Sequence, residues 1–492
     1  MTYDLLIIGG GINGTAIARD AAGRGWKTLL VERDDLASHT SSASSKLIHG
    51  GIRYLEYYEF RLVREALKER EVMLRSAPHL IKPMRFVLPH EEMARPFWMI
   101  RAGLLLYDFL GGKRTLSGTR KLGKANPQYR SPLANPDVKG FAYSDCWVDD
   151  ARLVVANAID ARDKGAEIAT YTELLSAERS GAAWTARLSD GRSVEARTIV
   201  NAAGPWVSEV LGDKLGVASD AKVRLVRGSH IIVPRLYAGD HAYILQQPDK
   251  RVVFAMPYLD RFTLIGTTDV AVDDPGDAVM TTDEVDYLCK SVNHYFAVQT
   301  TPDDVVSLYS GVRSLYDDGA EESSEVTREY VLEMDGGDES GAPTLLSVFG
   351  GKITTARALA EDAADRIAEA AALDGSAWTR EALLPGGEIG GDFDAFFEAV
   401  EADYPFLDWA DAKRMARVYG SRIKDVIGDA RSLGELGEHF GGGLTQREVD
   451  YLIAEEWAKT ADDILWRRSK MGLAMDEDEQ ARLETWLGER VY

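Results

Sequence analysis

Gly9, Gly11 and Gly14 stand in the spacing G-x-G-x-x-G, and Glu32 follows Gly14 by 18 residues. Residues 5–8 are apolar, 16–22 are Ala-rich, and 28–31 form a second apolar run ending at Glu32. This order reads as strand, helix, strand, with an acid at the tip of the second strand. In such a unit the first glycine permits a tight turn and the second lets the backbone approach a pyrophosphate. The third lets helix and strand pack closely. The helix N-terminus offers N–H groups and partial positive charge to the phosphates, and Glu32 can accept from ribose hydroxyls. The chemistry is dinucleotide binding, and this stretch alone leaves nicotinamide and flavin cofactors equally open.

A second reactive stretch covers residues 41–56, including Ser44, Ser45, His49, Gly50, Gly51, Arg53 and Tyr54. Serine hydroxyls and loop N–H groups suit a diphosphate or a flavin. Arg53 can fork onto a phosphate or carboxylate, and His49 can move a proton near neutral pH. Further on, Ser310-Gly311-Val312-Arg313 sets another arginine just past a glycine, and Gly350-Gly351-Lys352-Ile353-Thr354-Thr355 opens an Ala-rich helix. A helix N-terminus there, with Lys352, would stabilise negative charge developing on a bound ring.

These groups need a large scaffold. At 492 residues, 45% hydrophobic and 28% charged, the chain has the composition of a folded protein of two or three domains. Its net charge of −22 opposes a nucleic-acid partner. Cys146 and Cys289 are its two cysteines, in no CxxC pair, so neither a disulfide framework nor a metal site is expected. The first apolar run stops at glycine and no stretch approaches a membrane span, so neither a signal peptide nor a transmembrane helix is expected.

Residues 197–204 read as a strand running into small residues, among them Ala203 and Gly204, and residues 223–265 hold several short β runs. Residues 345–349 read as a strand and 355–372 as a helix, with Leu359, Ala363 and Ile367 on one apolar face. The nucleotide domain is therefore expected to be discontinuous, with a β-rich region inserted. Beyond residue 390 the chain reads as helical, with Trp409, Trp457, Trp466 and Trp486 expected as core anchors.

Residues 9–14 and 41–56, Tyr143 to Asp150, Asn201-Ala202-Ala203-Gly204-Pro205-Trp206, Gly228-Ser229-His230, Gly266 to Asp269, Ser310 to Arg313 and Phe349 to Thr355 closely resemble the FAD-dependent (aerobic) glycerol-3-phosphate dehydrogenases. The likeness extends to residues 460–468. It implies an α/β FAD-binding domain of the glutathione-reductase/D-amino-acid-oxidase type, an antiparallel β-rich substrate domain and a C-terminal helical domain. The implied divisions are 1–75, 140–215 and 345–388 for FAD, 76–139 and 216–344 for substrate, and 389–492 for the cap.

The implied reaction oxidises sn-glycerol 3-phosphate to dihydroxyacetone phosphate by hydride transfer from C2 to FAD, with electrons passed to a membrane quinone. Arg53, Tyr54, Arg313, Arg328 and Lys352 are the implied substrate group, while His49 and His230, with Arg313, are the catalytic candidates. Gly9, Gly11, Gly14, Glu32, Ser44, Ser45, Lys46, Ala203, Gly204, Gly351, Lys352 and Thr354 are the implied cofactor contacts. Where the family has Gly-Val-Arg-Pro-Leu, this chain has Ser314 after Arg313, which loosens the backbone and leaves the arginine available.

A quinone acceptor implies attachment to the inner face of the cytoplasmic membrane. Residues 95–130 carry eight Lys or Arg against one acid, Asp108, interleaved with apolar residues 96–100 and 102–107. That composition suits docking on anionic lipid. A homodimer is compatible with the sequence. The competing readings are a flavin oxidase that uses oxygen and a non-catalytic flavoprotein.

Overall fold

A computed structural model describes residues 2–91, 95–112, 115–123, 126–219, 221–317, 329–337 and 342–490. Arg328, Lys113, Arg114 and Lys124 lie outside them.

The first sheet is built on parallel strands. β1 (Thr2–Ile8) lies between β2 (Thr28–Val31) and β10 (Ser193–Asn201); β18 (Thr344–Phe349) continues beyond β10, and β7 (Glu167–Ala169) beyond β2. β17 (Val331–Asp335) pairs antiparallel with β18, and the hairpin of β8 (Leu174–Ser180) and β9 (Ala183–Leu188) pairs with β10. Parallel strands are covered on both faces, which is why they read as unbroken apolar runs. Leu5 and Ile7 face a core with α1 (Ile12–Gly23), α4 (Asp150–Asp163) and α7 (Ala356–Ala371), where Leu359, Ala363 and Ile367 are all buried. Leu6 and Ile8 face the opposite core with Trp184 and Val207. Ile8 is in register with Val31 and Asn201, and Asn201 with Ser347. Their C-terminal ends thus lie together, and Gly9, Glu32, Ala202 and Gly350 leave the sheet along one edge.

The second sheet has the order β15 (Val270–Val272), β11 (Val223–Pro234), β14 (Phe262–Gly266), β13 (Val252–Tyr258), β12 (Ala242–Gln246), β4 (Ile81–Pro89), β6 (Gly140–Val148), β3 (Leu47–Ile48). β16 (Ser307–Tyr316) also pairs β11, from Val223↔Tyr316 to Ile232↔Ser307, and β5 (Arg120–Lys121) pairs β6. α2 (Phe60–Ser76) and α3 (Phe97–Leu110) contribute Val63, Leu67, Leu104 and Tyr107 to a core with Phe86 and Met256.

Strand pairing cuts across the expected divisions. β3 and β6 fall within the spans assigned to FAD binding, yet they pair in the second sheet, because β6 runs antiparallel to β4 from Ile81↔Val148 to Pro89↔Gly140. β17, assigned to the substrate region, pairs in the first sheet.

The C-terminal region packs α8 (Phe393–Asp403), α9 (Trp409–Tyr419), α10 (Ile423–Ile427), α11 (Gln446–Glu456) and α12 (Glu477–Gly488) around their own core. Buried ion pairs fasten it to the first sheet's domain, with Arg152 on Glu456 and Arg468 on Asp35. Trp486 is buried in the cap core, Trp466 packs at its margin, and Trp457 packs against the first sheet's core instead. Trp409 departs from the expectation: it opens α9, is 55% exposed, and is covered by the Lys413 ammonium 4.5 Å from its ring.

Candidate active site

A cavity of about 360 Å³ runs from the edge of the first sheet to the inner strands of the second. At one end, Gly9 and Gly11 form its floor. Gly14 is the third residue of α1 and is buried; a Cβ there would overlap the Gly9 carbonyl oxygen, so the third glycine is what lets α1 sit against β1. The Glu32 carboxylate accepts from Gly10 N at 2.6 Å and Asp34 N at 2.9 Å. Burial raises its pKa and these two N–H groups oppose the rise. Beside it, Trp206 carries the Arg33 guanidinium 4.3 Å from its ring and the His39 ring at 4.6 Å. Glu32, Asp34 and His39 bring ligand-type atoms within 4.8 Å, but His39 Nε2 is bonded to Asp34 and both Glu32 oxygens accept N–H groups. The cluster is closed by its own hydrogen bonds.

At the other end, four distant segments converge. His49 follows β3, His230 lies on β11, Arg313 on β16, and Lys352 follows β18; all line the cavity with Tyr54. The Lys352 ammonium sits 3.8 Å from the Tyr54 ring centre. Arg313 borders the cavity, and its Nη2 makes contacts to Thr268 O (3.4 Å) and Asp269 Oδ1 (3.5 Å). His230 is buried, stacks on Tyr309 at 4.8 Å, and shares a 2.9 Å hydrogen bond between Nε2 and Ser45 Oγ. Its imidazole occupies the space a side chain at Gly266 would need.

Both imidazoles are neutral at neutral pH. Burial, then the Lys352 and Arg70 charges, bring His49 down to about 4. Burial, then Lys46 and Arg313, bring His230 down to about 3. An anion beside Lys352 would offset its effect on His49, and one beside Arg313 its effect on His230, raising the proton affinity of the imidazole concerned. The His49 ring makes no hydrogen bond among the described residues, whereas His230 already shares Nε2 with Ser45. His49 is therefore the freer proton acceptor.

The cavity wall includes Gly9, Gly11, Glu32, Ser44, Ser45, Ala203, Gly204, Gly351 and Thr354 as well. Lys46 is elsewhere. Its ammonium is buried on Asp150 Oδ1 at 2.7 Å and donates to Ser42 O, while Ser44 Oγ donates to Asp150 Oδ2. Lys46 thus folds the serine loop from behind. Arg53 is not among the residues lining the cavity and makes no ion pair among the described residues. It lies on the tight helical turn Ile52–Tyr57, where roughly three residues per turn send neighbours in different directions, and Tyr54 takes the inward one.

Asn13 and Trp206 are wall residues to which the sequence reading gave no role, and Ser41, read only as one of the serines of the 41–56 loop, lines the wall with them. Asn13 Nδ2 donates to Gly350 O at 3.2 Å, joining the glycine-rich turn to the Lys352 turn, and Ser41 Oγ accepts from Ile12 N at 3.0 Å. Their signal is weak, since Asn13 occupies a variable position of the glycine motif.

The wall fits FAD. Asn13 Oδ1, Ser38 Oγ and His230 Nδ1 are buried along it without a hydrogen-bond partner among the described residues, and a long polar cofactor supplies such partners.

The family described as FAD dependent oxidoreductase matches residues 4–366, and that described as the C-terminal domain of alpha-glycerophosphate oxidase matches residues 377–485. The chain is 53% identical to a glycerol-3-phosphate dehydrogenase of Pseudomonas aeruginosa, over 99% of this chain and 95% of that protein. It is 51% identical to a D-erythritol 1-phosphate dehydrogenase of Brucella abortus (99% and 97%) and 48% identical to the aerobic glycerol-3-phosphate dehydrogenase of Escherichia coli (99% and 98%). Its structure is similar to that of the glycerol-3-phosphate dehydrogenase from Bacillus halodurans complexed with FAD, with TM-score 0.76, 26% identity, and 100% and 94% of the two chains covered.

Proposed function

The chain belongs to the FAD-dependent oxidoreductases that include the aerobic glycerol-3-phosphate dehydrogenases, and from that premise we propose that it oxidises sn-glycerol 3-phosphate to dihydroxyacetone phosphate and passes the electrons to a membrane quinone. It is an enzyme with FAD as cofactor. The observation that carries the substrate reading is the pairing of two cations, Arg313 and Lys352, with neutral imidazoles at the end of the cavity away from Glu32.

Bound FAD supplies the acceptor for the hydride that leaves C2. The chain does the rest. Arg313 and Lys352 bind the phosphate dianion and fix the pose of the C2 hydroxyl. Lys352 is held against Tyr54, which directs its charge along the cavity. A free ring nitrogen of His49 takes the hydroxyl proton, made more basic as the phosphate offsets Lys352. Gly9, Gly11, Asn13 and Glu32 hold the nucleotide half, and Ser44, Ser45, Gly351 and Thr354 border the reacting half. Arg53 stands outside the cavity wall in this arrangement, where it can attract the phosphate as it approaches.

Electron delivery to quinone needs a membrane contact, and α3 supports one. Phe109 is 83% exposed and Trp98 67%, with Tyr58 of the neighbouring turn 79% exposed. Arg101 and Arg120 are exposed nearby, and Lys121 covers the Phe97 ring at 5.5 Å. Among the described residues no helix is long and apolar enough to cross a membrane, so this reading is of peripheral attachment at the inner face. Replacing Arg101 and Lys121 by Gln is expected to weaken sedimentation with anionic vesicles by about fivefold per site; unchanged binding refutes the docking reading.

The 51% identity to a D-erythritol 1-phosphate dehydrogenase favours a second reading, a four-carbon polyol phosphate as substrate. Steady-state rates with a quinone analogue decide. Glycerol 3-phosphate is expected to give the higher kcat/KM, and preference for D-erythritol 1-phosphate reverses the assignment. Hydrogen peroxide as the main product would instead make oxygen the acceptor.

A further inference from the structure

Helix α3 rests on the protein through few groups, and one of them reaches the active-site turn. Of its 14 residues, Leu104 and Tyr107 are the fully buried ones. The Tyr107 hydroxyl accepts from Gly50 N at 2.8 Å and donates to Asp145, with Oδ2 at 2.7 Å. Asp145 on β6 also accepts from Arg70 Nη1 of α2 at 2.8 Å, and the same Nη1 donates to Ser144 O at 3.1 Å. Four separate elements therefore meet at one hydroxyl and one carboxylate.

The residues flanking Gly50 belong to the reactive end of the cavity. His49 N donates to Thr354 Oγ1 at 3.3 Å, and Gly51, at φ +70°, lies under the Tyr54 ring that carries Lys352. The fit at Gly50 is closed: a Cβ there would stand 2.8 Å from Tyr107 Oη and 2.7 Å from Leu67. The turn has no room to move toward Tyr107 or Leu67. A phenol suits this place because its oxygen accepts from one group while its proton goes to another. Arg70 balances the Asp145 charge that burial would otherwise disfavour.

We propose that Tyr107 is a positioning residue whose hydroxyl, oriented by Asp145 and Arg70, fixes Gly50 and so presents His49 and Tyr54 to the substrate. The seating of α3 is then part of the active-site geometry, and displacement of this apolar helix is transmitted to the His49 turn. Its catalytic consequence rests on the glycerol 3-phosphate reading, whereas its structural content does not.

Tyr107→Phe and Leu104→Ala in the FAD-loaded protein test it, by amide hydrogen exchange and by steady-state kinetics with glycerol 3-phosphate. Tyr107→Phe is expected to speed exchange across residues 47–56 by about tenfold and lower kcat by a similar factor, with KM within about twofold. Leu104→Ala, which loosens α3 and leaves the hydrogen bonds in place, is expected to speed exchange over 47–56 by about threefold. Wild-type exchange over 47–56 in Tyr107→Phe overturns the proposal, as does a Leu104→Ala effect confined to α3. If Tyr107→Phe loses FAD, Asp145→Asn carries the test, and unchanged exchange over 47–56 overturns the proposal there too. A wild-type protein inert toward glycerol 3-phosphate defeats the function reading alone, because the exchange experiment still decides on Tyr107.

Discussion

The two ends of the cavity are built in opposite ways. At the nucleotide end, Gly9, Gly11, Gly14 and Glu32 come from one short βαβ unit, and Glu32 is held by main-chain N–H groups two and 22 residues away. At the reactive end, His49, His230, Arg313 and Lys352 come from four segments and both sheets. Arg313 and Lys352 border the cavity there, and burial keeps two imidazoles neutral beside them. The difference separates two tasks. Holding a cofactor requires a rigid local cradle, whereas turning over a small anion requires charges and proton acceptors that the ligand itself completes.

Substitutions should therefore divide by end. Gly14→Val is expected to abolish FAD retention, read as loss of flavin absorbance in the purified protein, because the new side chain overlaps the Gly9 carbonyl. A protein that keeps its flavin would break the claim that α1 must touch β1 there. At the reactive end FAD should stay bound while chemistry fails. His49→Asn is expected to lower kcat by about 10²–10⁴-fold with little change in KM, and Arg313→Ala to lower kcat/KM by about 10²-fold, largely through KM. If His230→Asn is the more damaging histidine change, the assignment of the proton acceptor moves to β11.

The smallest effect concerns pH. Burial lowers His49 and His241 to about 4 and His79 and His230 to about 3. In the unfolded chain these histidines protonate near 6.5, so below that pH the unfolded state binds more protons and stability falls as pH drops toward 4. Asp145, raised to about 6, and the raised Asp20 and Glu32 act in the opposite sense and offset part of it. The melting temperature is expected to decline by several degrees between pH 7 and 5; a rise on acidification would show that the acids dominate.

The same contrast explains what the sequence made legible. The nucleotide end could be read from spacing, because glycines, strand runs and the acid are local requirements of one unit. The Ala-rich helix after Lys352 could be read from its four-residue period, and Leu359, Ala363 and Ile367 are buried as that period requires. His49, Arg313 and Lys352 could be picked out by residue type beside glycines, whereas His230 came from resemblance, since nothing local in Gly228-Ser229-His230 announces that Gly266 makes room for the imidazole. Lys46 looked like a cofactor contact from its place in the serine loop, and its burial against Asp150 depends on a partner 104 residues away. Arg53 and Tyr54 are adjacent in sequence, and the geometry of one tight turn sends Tyr54 to the cavity and leaves Arg53 off its wall. The Arg70–Asp145–Tyr107 set was invisible, because its members lie on α2, β6 and α3 and meet only after the second sheet has formed.

The central claim is that the cations and neutral histidines at the far end of the cavity act on a phosphorylated secondary alcohol beside the flavin. Anaerobic mixing of the FAD-loaded protein with sn-glycerol 3-phosphate, followed by absorbance of the flavin, tests it most directly. The account predicts full bleaching by glycerol 3-phosphate and none by glycerol at the same concentration. A flavin that stays oxidised with glycerol 3-phosphate, or that glycerol bleaches equally well, would contradict it.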